Sequence, residues 1–371
     1  MKRSDTDQSV YFSALRGGMI YRFKRTGRDP LPGADYPPRK PRYREMECPI
    51  LSPLRDARSR EELFLRRLSV MGEEHFYHIE RKIRRPPRTD GILWPVDLVL
   101  LSDAQRLECY SAVARAYSDR PLSAMRRQSE RFALAFRNPR GFRAGNLAEA
   151  KRTKKLEPFH WKNPSVRNLV VGLLDILREL NDDSYYYHDF HLSRVFLTAE
   201  RKPLLDYSEM IMSVEDADFP ALDAERRDYP PEFADPAVMR GVIPAPDFHS
   251  QNYSLCAFLF YLLFGFCPYD GDSLRYLKDD TSHAHYKKFL LHYHADIPPA
   301  FVFDPNDTRN SLGLFGEDEA LIALWEEAPD ALRQQFADAF SESNVMRRSD
   351  DGPRFPDPAV WLDCLHKIGW A

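Results

Sequence analysis

The 371-residue sequence predicts an α+β protein in two lobes, a small β-rich one followed by a larger, mainly helical one. Three observations carry this. The first 160 residues, rich in Arg and Pro, hold their apolar residues in short strand-like runs bounded by turn formers. Beyond them, NPSVRNLVVGLLDILRELN and SLCAFLFYLLFGF are apolar nearly all round, as helices buried on most sides are. The charge also changes sign there: residues 1–160 carry 34 Lys and Arg against 20 Asp and Glu, a balance of +14. Residues 161–371 carry 19 against 36, a balance of −17. Such a split fits either two oppositely charged halves packed on each other or an anionic partner for the basic half.

Composition narrows the class. With 43% hydrophobic and 13% aromatic residues the chain can bury a sizeable core, and 29% charged residues fit a soluble protein. No run approaches the roughly 18 apolar residues of a membrane span, and MKRSDTDQSVYF lacks the apolar segment of a secretory signal. Five scattered cysteines without a CxxC pair argue against a disulfide framework or a zinc site and suit a reducing cytoplasm.

Taken in order, QSVYFSAL and MIYRFKR read as two strands joined at Gly17 and Gly18, followed by a proline-rich loop over DPLPGADYPPRKP. PRYREMECPIL is a third strand candidate. SREELFLRRLSVM has helical apolar spacing behind Ser59 and predicts an amphipathic helix. ILWPVDLVLL, after the basic segment RKIRRPPR, predicts a buried strand, and the basic stretch to about residue 160 is expected to be helical in places. The buried helix NPSVRNLVVGLLDILRELN leads into YYYHDFHLSRVFLTAERKPLLDYSEMI, where RVFLT and KPLLDY are short strands flanking the turn Glu200–Arg201–Lys202. A second buried helix over SLCAFLFYLLFGF should centre the larger half. ALIALWEEAPDALRQQFADAF and PAVWLDCLHKI predict amphipathic helices.

Five segments of this order resemble the protein kinase fold, over about residues 9 to 371. YHDFHLSRVFL is similar to the kinase catalytic loop H-R-D-L-x-x-x-N, with Tyr187 and His188 at the His and Arg positions, Asp189 as the aspartate and Arg194 at the asparagine. LLDYS resembles the metal-binding D-F-G, with Asp206 as its aspartate and Ser208 at the glycine. DYPPEF resembles A-P-E, with Glu232 as the glutamate, and PRFPDPAVWLDCL the segment whose arginine, here Arg354, pairs with it. QNYSLCAFLFYLLFGFCPYDG resembles the helix anchoring the large lobe, with Asn252 in place of the usual aspartate. FVFDPNDTRNSLG resembles a bacterial branch of such proteins. The resemblance implies a kinase-like N-lobe over residues 1–115, a basic hinge or insert over 116–164 and a kinase-like C-lobe over 165–371.

Phosphoryl transfer is mostly positioning and charge neutralisation. The resemblance makes Asp189 the proton acceptor and Asp206 the Mg²⁺ ligand, but other parts are changed. Arg194 stands where a neutral metal ligand belongs, and a guanidinium cannot coordinate a cation. It either neutralises a phosphate itself or forms a salt bridge with Asp206 or Asp189 and closes the site. No third-strand lysine is evident; Arg42 and Arg44 are the cations at hand, and Lys24 and Lys40 lie in or before the loop. Glu61 and Glu62 are the candidates for the C-helix glutamate. The glycine-rich loop keeps only Gly17 and Gly18. His191 falls where many Ser/Thr kinases carry a lysine and offers a hydrogen bond instead.

The four histidines of SHAHYKKFLLHYHAD lack metal-ligand spacing. RKIRRPPR and MRRQSERFALAFRNPRGFR interleave arginine with aromatics, which suits either a solvated face or nucleic-acid phosphates. The expectation is a cytoplasmic pseudokinase, a regulator or scaffold for a protein partner with weak or no ATP and Mg²⁺ binding. The alternatives are an active Ser/Thr kinase using ATP and Mg²⁺, and a nucleic-acid-associated module built on the basic half.

Overall fold

The computed structural model describes residues 8–13, 20–24, 63–67, 73–100, 132–137, 146–152, 159–198, 200–207, 211–213, 233–235, 238, 247–272, 300–313, 318–345 and 355–370. The chain divides into two compact units. The first is Met1–Pro86, Ile92–Asn146 and Phe196–Ala199; the second is Pro87–Gly91, Leu147–Val195 and Glu200–Ala371. Among the described residues no helix is long and apolar enough to cross a membrane.

The first unit holds strands β1 (Gln8–Ser13), β2 (Ile20–Lys24), β3 (Leu63–Arg67), β4 (Pro95–Leu100) and β5 (Phe132–Arg137), and helix α1 (Glu73–Arg84). They form one sheet in the order β2-β1-β4-β5-β3. β1 and β2 pair antiparallel, Tyr11 opposite Tyr21, as their sequences lead one to expect. β4 is central, and its Leu98 and Val99 are fully buried beside Leu134, Ala135 and Phe136 of β5. α1 packs on β4, buries Ile79 and Lys82 one turn apart, and its Lys82 carbonyl accepts from Trp94 Nε1 at 2.9 Å.

Two expectations are corrected here. SREELFLRRLSVM does not give the expected helix: Leu63–Arg67 is strand β3, with Phe64 opposite Phe136 of β5. Three successive apolar residues, Leu63 to Leu65, suit a strand as well as a helix turn, and cross-strand pairing decides between them. The helix of this unit begins at Glu73 instead. Within the basic stretch before residue 160, FALAFR is likewise a sheet strand and not a helix or solvated face. Its Leu134 to Phe136 are buried on both sides.

The second unit is mainly helical: α2 (Leu147–Arg152), α3 (Pro164–Asp182), α4 (Phe248–Phe264), α5 (Asp318–Glu326), α6 (Asp330–Ala339), α7 (Glu342–Val345) and α8 (Pro358–Lys367). Asn163 caps α3 by accepting from Ser165 N, and Pro164 follows at a position where a missing N–H costs nothing. α4 starts earlier than its apolar run, at a reciprocal cap between Asp247 and Ser250, and ends at Gly265, whose φ of 83° is the left-handed conformation glycine adopts freely. Between its ends α4 is buried nearly all round. Phe260 lies against the rings of Phe264, Phe266, Phe301, Trp325, Phe336 and Phe340. Pro329 separates α5 from α6 in what reads as one amphipathic run. In FVFDPNDTRNSLG the buried Asn310 donates through Nδ2 to the carbonyls of Tyr269 and Ala300, so this segment pins the chain following α4.

Candidate functional site

α3 delivers the loop that holds the first aspartate. After it come β6 (Tyr185–Tyr186), a 3-10 turn at Leu192–Arg194, β7 (Val195–Leu197), β8 (Pro203–Leu205) and β9 (Met212–Ser213). β6 pairs antiparallel with β9. Two glycines let neighbouring chain approach α3 closely. A Cβ on Gly172 would lie 2.9 Å from the Pro203 ring, and one on Gly91 would lie 2.3 Å from Ile176. The Gly91 carbonyl also accepts from Leu205 N at 2.8 Å. These contacts fix the strand that leads into Asp206.

Asp189 and Asp206 are joined through one side chain. Arg194 Nε lies 2.9 Å from Asp189 Oδ2 and its Nη1 lies 3.0 Å from Asp206 Oδ2. The side chains are 10%, 4% and 19% exposed for Asp189, Asp206 and Arg194, so the two ion pairs sit largely out of water. The backbone reinforces them: Asp206 N donates to the Arg194 carbonyl at 2.7 Å, and Arg194 N to that of His191 at 2.9 Å. His191 caps the 3-10 turn, its Nδ1 accepting from Ser193 N at 3.1 Å with Ser193 Oγ at 2.6 Å.

A second set of bonds holds the loop from below. Tyr187 is fully buried; its N donates to Gln251 Oε1 at 2.6 Å, and its hydroxyl to the Asp206 carbonyl at 3.2 Å. Gln251 Nε2 reaches Asn181 Oδ1 at 3.1 Å. Its neighbour Asn252, which the resemblance sets at the usual aspartate, reaches a different partner. Gln251 bonds to the loop, whereas Asn252 Nδ2 is directed at the Phe355 carbonyl, 3.5 Å away. Neighbours on a helix point about 100° apart, so the two polar side chains meet different partners. The available signal was the short polar run from His249 to Asn252 ahead of the apolar body of the helix.

Of the other sequence candidates, Gly17, Gly18, Arg44, Glu61, Glu62, Ser208, Glu232 and Arg354 lie outside the described residues, as do the four histidines of SHAHYKKFLLHYHAD. The residues next to Glu232 and Arg354 both pack on α4, Phe233 against Phe258 and Phe355 against Tyr253. His188 is buried. In RKIRRPPR, Lys82 is buried, Arg84 pairs with Glu80 at 2.6 Å, and Arg88 pairs with Asp183 at 2.7 Å. Part of this run is thus engaged within the chain.

No protein-family model matches the chain, and no curated protein matches it. The chemistry has to be read from the geometry. Carboxylates are the ligand type that Mg²⁺ takes. As arranged, however, Asp189 and Asp206 each give an oxygen to a cation that has no lone pair to share, and the described residues contain no group of three or more His, Cys, Asp or Glu able to hold a metal ion. This donor set does not fit Mg²⁺.

Proposed function

We propose that this protein is a kinase-fold regulator or scaffold, a pseudokinase that works by binding a protein partner and whose phosphotransfer position is closed by its own Arg194. The observation that carries this reading is the guanidinium bonded at once to Asp189 and Asp206. A proton-accepting aspartate must meet a substrate hydroxyl, and a metal-binding aspartate must meet a cation. Arg194 takes an oxygen of each. A unit charge approaching the guanidinium to about 4 Å meets a repulsion of about 4 kcal/mol at an effective dielectric near 20, and a divalent ion meets about twice that. Nucleotide binding, where it occurs, is then insensitive to Mg²⁺, and phosphotransfer is absent or very slow.

The test is a calorimetric titration of the full chain with ATP and ADP, with Mg²⁺ and with EDTA, alongside a radiolabel phosphotransfer assay on a general protein substrate. Affinity equal in the two buffers, with no transfer, supports the reading. Mg²⁺-dependent transfer that disappears in Asp189→Ala overturns it in favour of an active Ser/Thr kinase. Salt-sensitive binding of a single-stranded oligonucleotide, without nucleotide binding, would instead favour the basic half as a nucleic-acid surface.

A further inference from the structure

The Arg194 bridge is fastened from outside by α2. This six-residue helix packs on the turn Leu192–Arg194, with Leu147 fully buried. Just before it, Asn146 forms a backbone bridge with Phe196, just beyond the turn. At its other end Lys151 leaves the helix for α4: Nζ donates to the Tyr261 hydroxyl and sits 4.7 Å from the Tyr261 ring centroid and 5.8 Å from that of Phe159. Those rings are themselves held, Phe159 against Tyr261 at 6.1 Å and Phe233 edge-on to Tyr261 at 5.6 Å. An ammonium donating to the Tyr261 hydroxyl lies at the edge of that ring, so its attraction is to the hydroxyl oxygen and to the Phe159 ring, and depends on charge as well as on shape.

From this we propose that Lys151 is a positioning residue for the Asp189–Arg194–Asp206 bridge, holding α2 across the turn so that the guanidinium stays between the two carboxylates. The inference rests on the reading of Arg194 as the closing group and adds its control: whatever neutralises or withdraws the Lys151 ammonium loosens the bridge. Lys151 touches neither aspartate in this scheme. It acts through α2 and the backbone of the turn.

The experiment follows the Arg194 Nε–H proton, which is donated to Asp189, by solvent exchange in ¹H–¹⁵N spectra of the full-length protein. The signal is assigned by its loss in Arg194→Lys. In Lys151→Gln the proton should exchange roughly two- to fivefold faster, the factor supplied by a cation–π contact at an exposed site. Lys151→Arg keeps a cation over the rings and should restore the original rate, while the amides of α8 exchange alike in all three proteins. An unchanged rate in Lys151→Gln overturns the proposal. So does equal acceleration in the Gln and Arg variants, or acceleration that extends to α8, because the effect would then be loss of packing and not of charge. Fast exchange of the Arg194 proton in the unaltered protein would instead remove the closing role of Arg194 itself. No arm uses nucleotide, so the result is independent of whether ATP binds.

Discussion

Gln251 accepts a 2.6 Å hydrogen bond from the main chain of Tyr187, across 64 positions of sequence, and both groups are fully buried. Gln251→Ala leaves that N–H without an acceptor and should lower unfolding free energy by about 1–3 kcal/mol. Gln251→Glu keeps an acceptor for Tyr187 but loses the amide donor to Asn181, and buries a charge besides. Urea denaturation should therefore rank both variants below the unaltered protein. A neutral Gln251→Ala would mean that the loop is held by other contacts.

Arg194→Asn removes the cation from between two carboxylates. Breaking a largely buried pair costs about 3–5 kcal/mol, and the partly exposed guanidinium argues for the lower end. The variant should melt well below the unaltered protein in EDTA and recover part of the loss in millimolar Mg²⁺, which now meets Asp189 and Asp206 unopposed. The unaltered protein should show no Mg²⁺ effect. Equal stabilisation of both by Mg²⁺ would contradict the closed site.

Charge reversal separates the two kinds of cation in α1. Arg84 pairs with Glu80 at an exposed i,i+4 spacing, so Arg84→Glu should cost no more than about 1 kcal/mol. Lys82 is buried, and Lys82→Glu, which places the opposite charge there, should cost several times as much. Guanidinium denaturation of the two variants checks the contrast. Similar midpoints would mean that Lys82 is not enclosed in solution.

Burial pushes the Cys256 thiol up from 9.0 to about 12, a rise that exceeds the opposing effect of its hydrogen bonds. A folded pKa above the unfolded one gives stability that is whole below pH 9 and declines as pH rises toward 12, by about 1.4 kcal/mol per unit. Cys256→Ala should show a flatter dependence than the unaltered protein between pH 9 and 11, measured by urea denaturation. The native thiol should also resist alkylation at pH 8. Parallel curves for the two proteins would exclude the shift.

Long signals in the sequence translated directly. The all-round apolar segments are α3 and α4, and the strands flanking Glu200 to Lys202 lie where RVFLT and KPLLDY indicate. Short ones did not. LFLRR and FALAFR become strands because each supplies the other's partner, a relation between residues about 70 apart that no local window contains. At the site, the contact of Arg194 with the aspartates was legible because its charge leaves few other stable arrangements. The roles of Gln251 and Lys151 were not, since a glutamine's reach and a lysine's stem acquire direction only once α4 stands beside the loop and α2.

The ring-lined surroundings of α4 have a consequence for how the helix is seated. A cylinder apolar on every side has no wet face to set its angle about its own axis, and aromatic walls accept more than one facing. The polar pair at its first turns, Gln251 toward Tyr187 and Asn252 toward Phe355, acts as the key in a keyway: only one rotation satisfies both. Exchange of the two residues would conserve composition, volume and polarity and still leave the helix without its angular reference, free to settle at several azimuths within an intact hydrophobic interior.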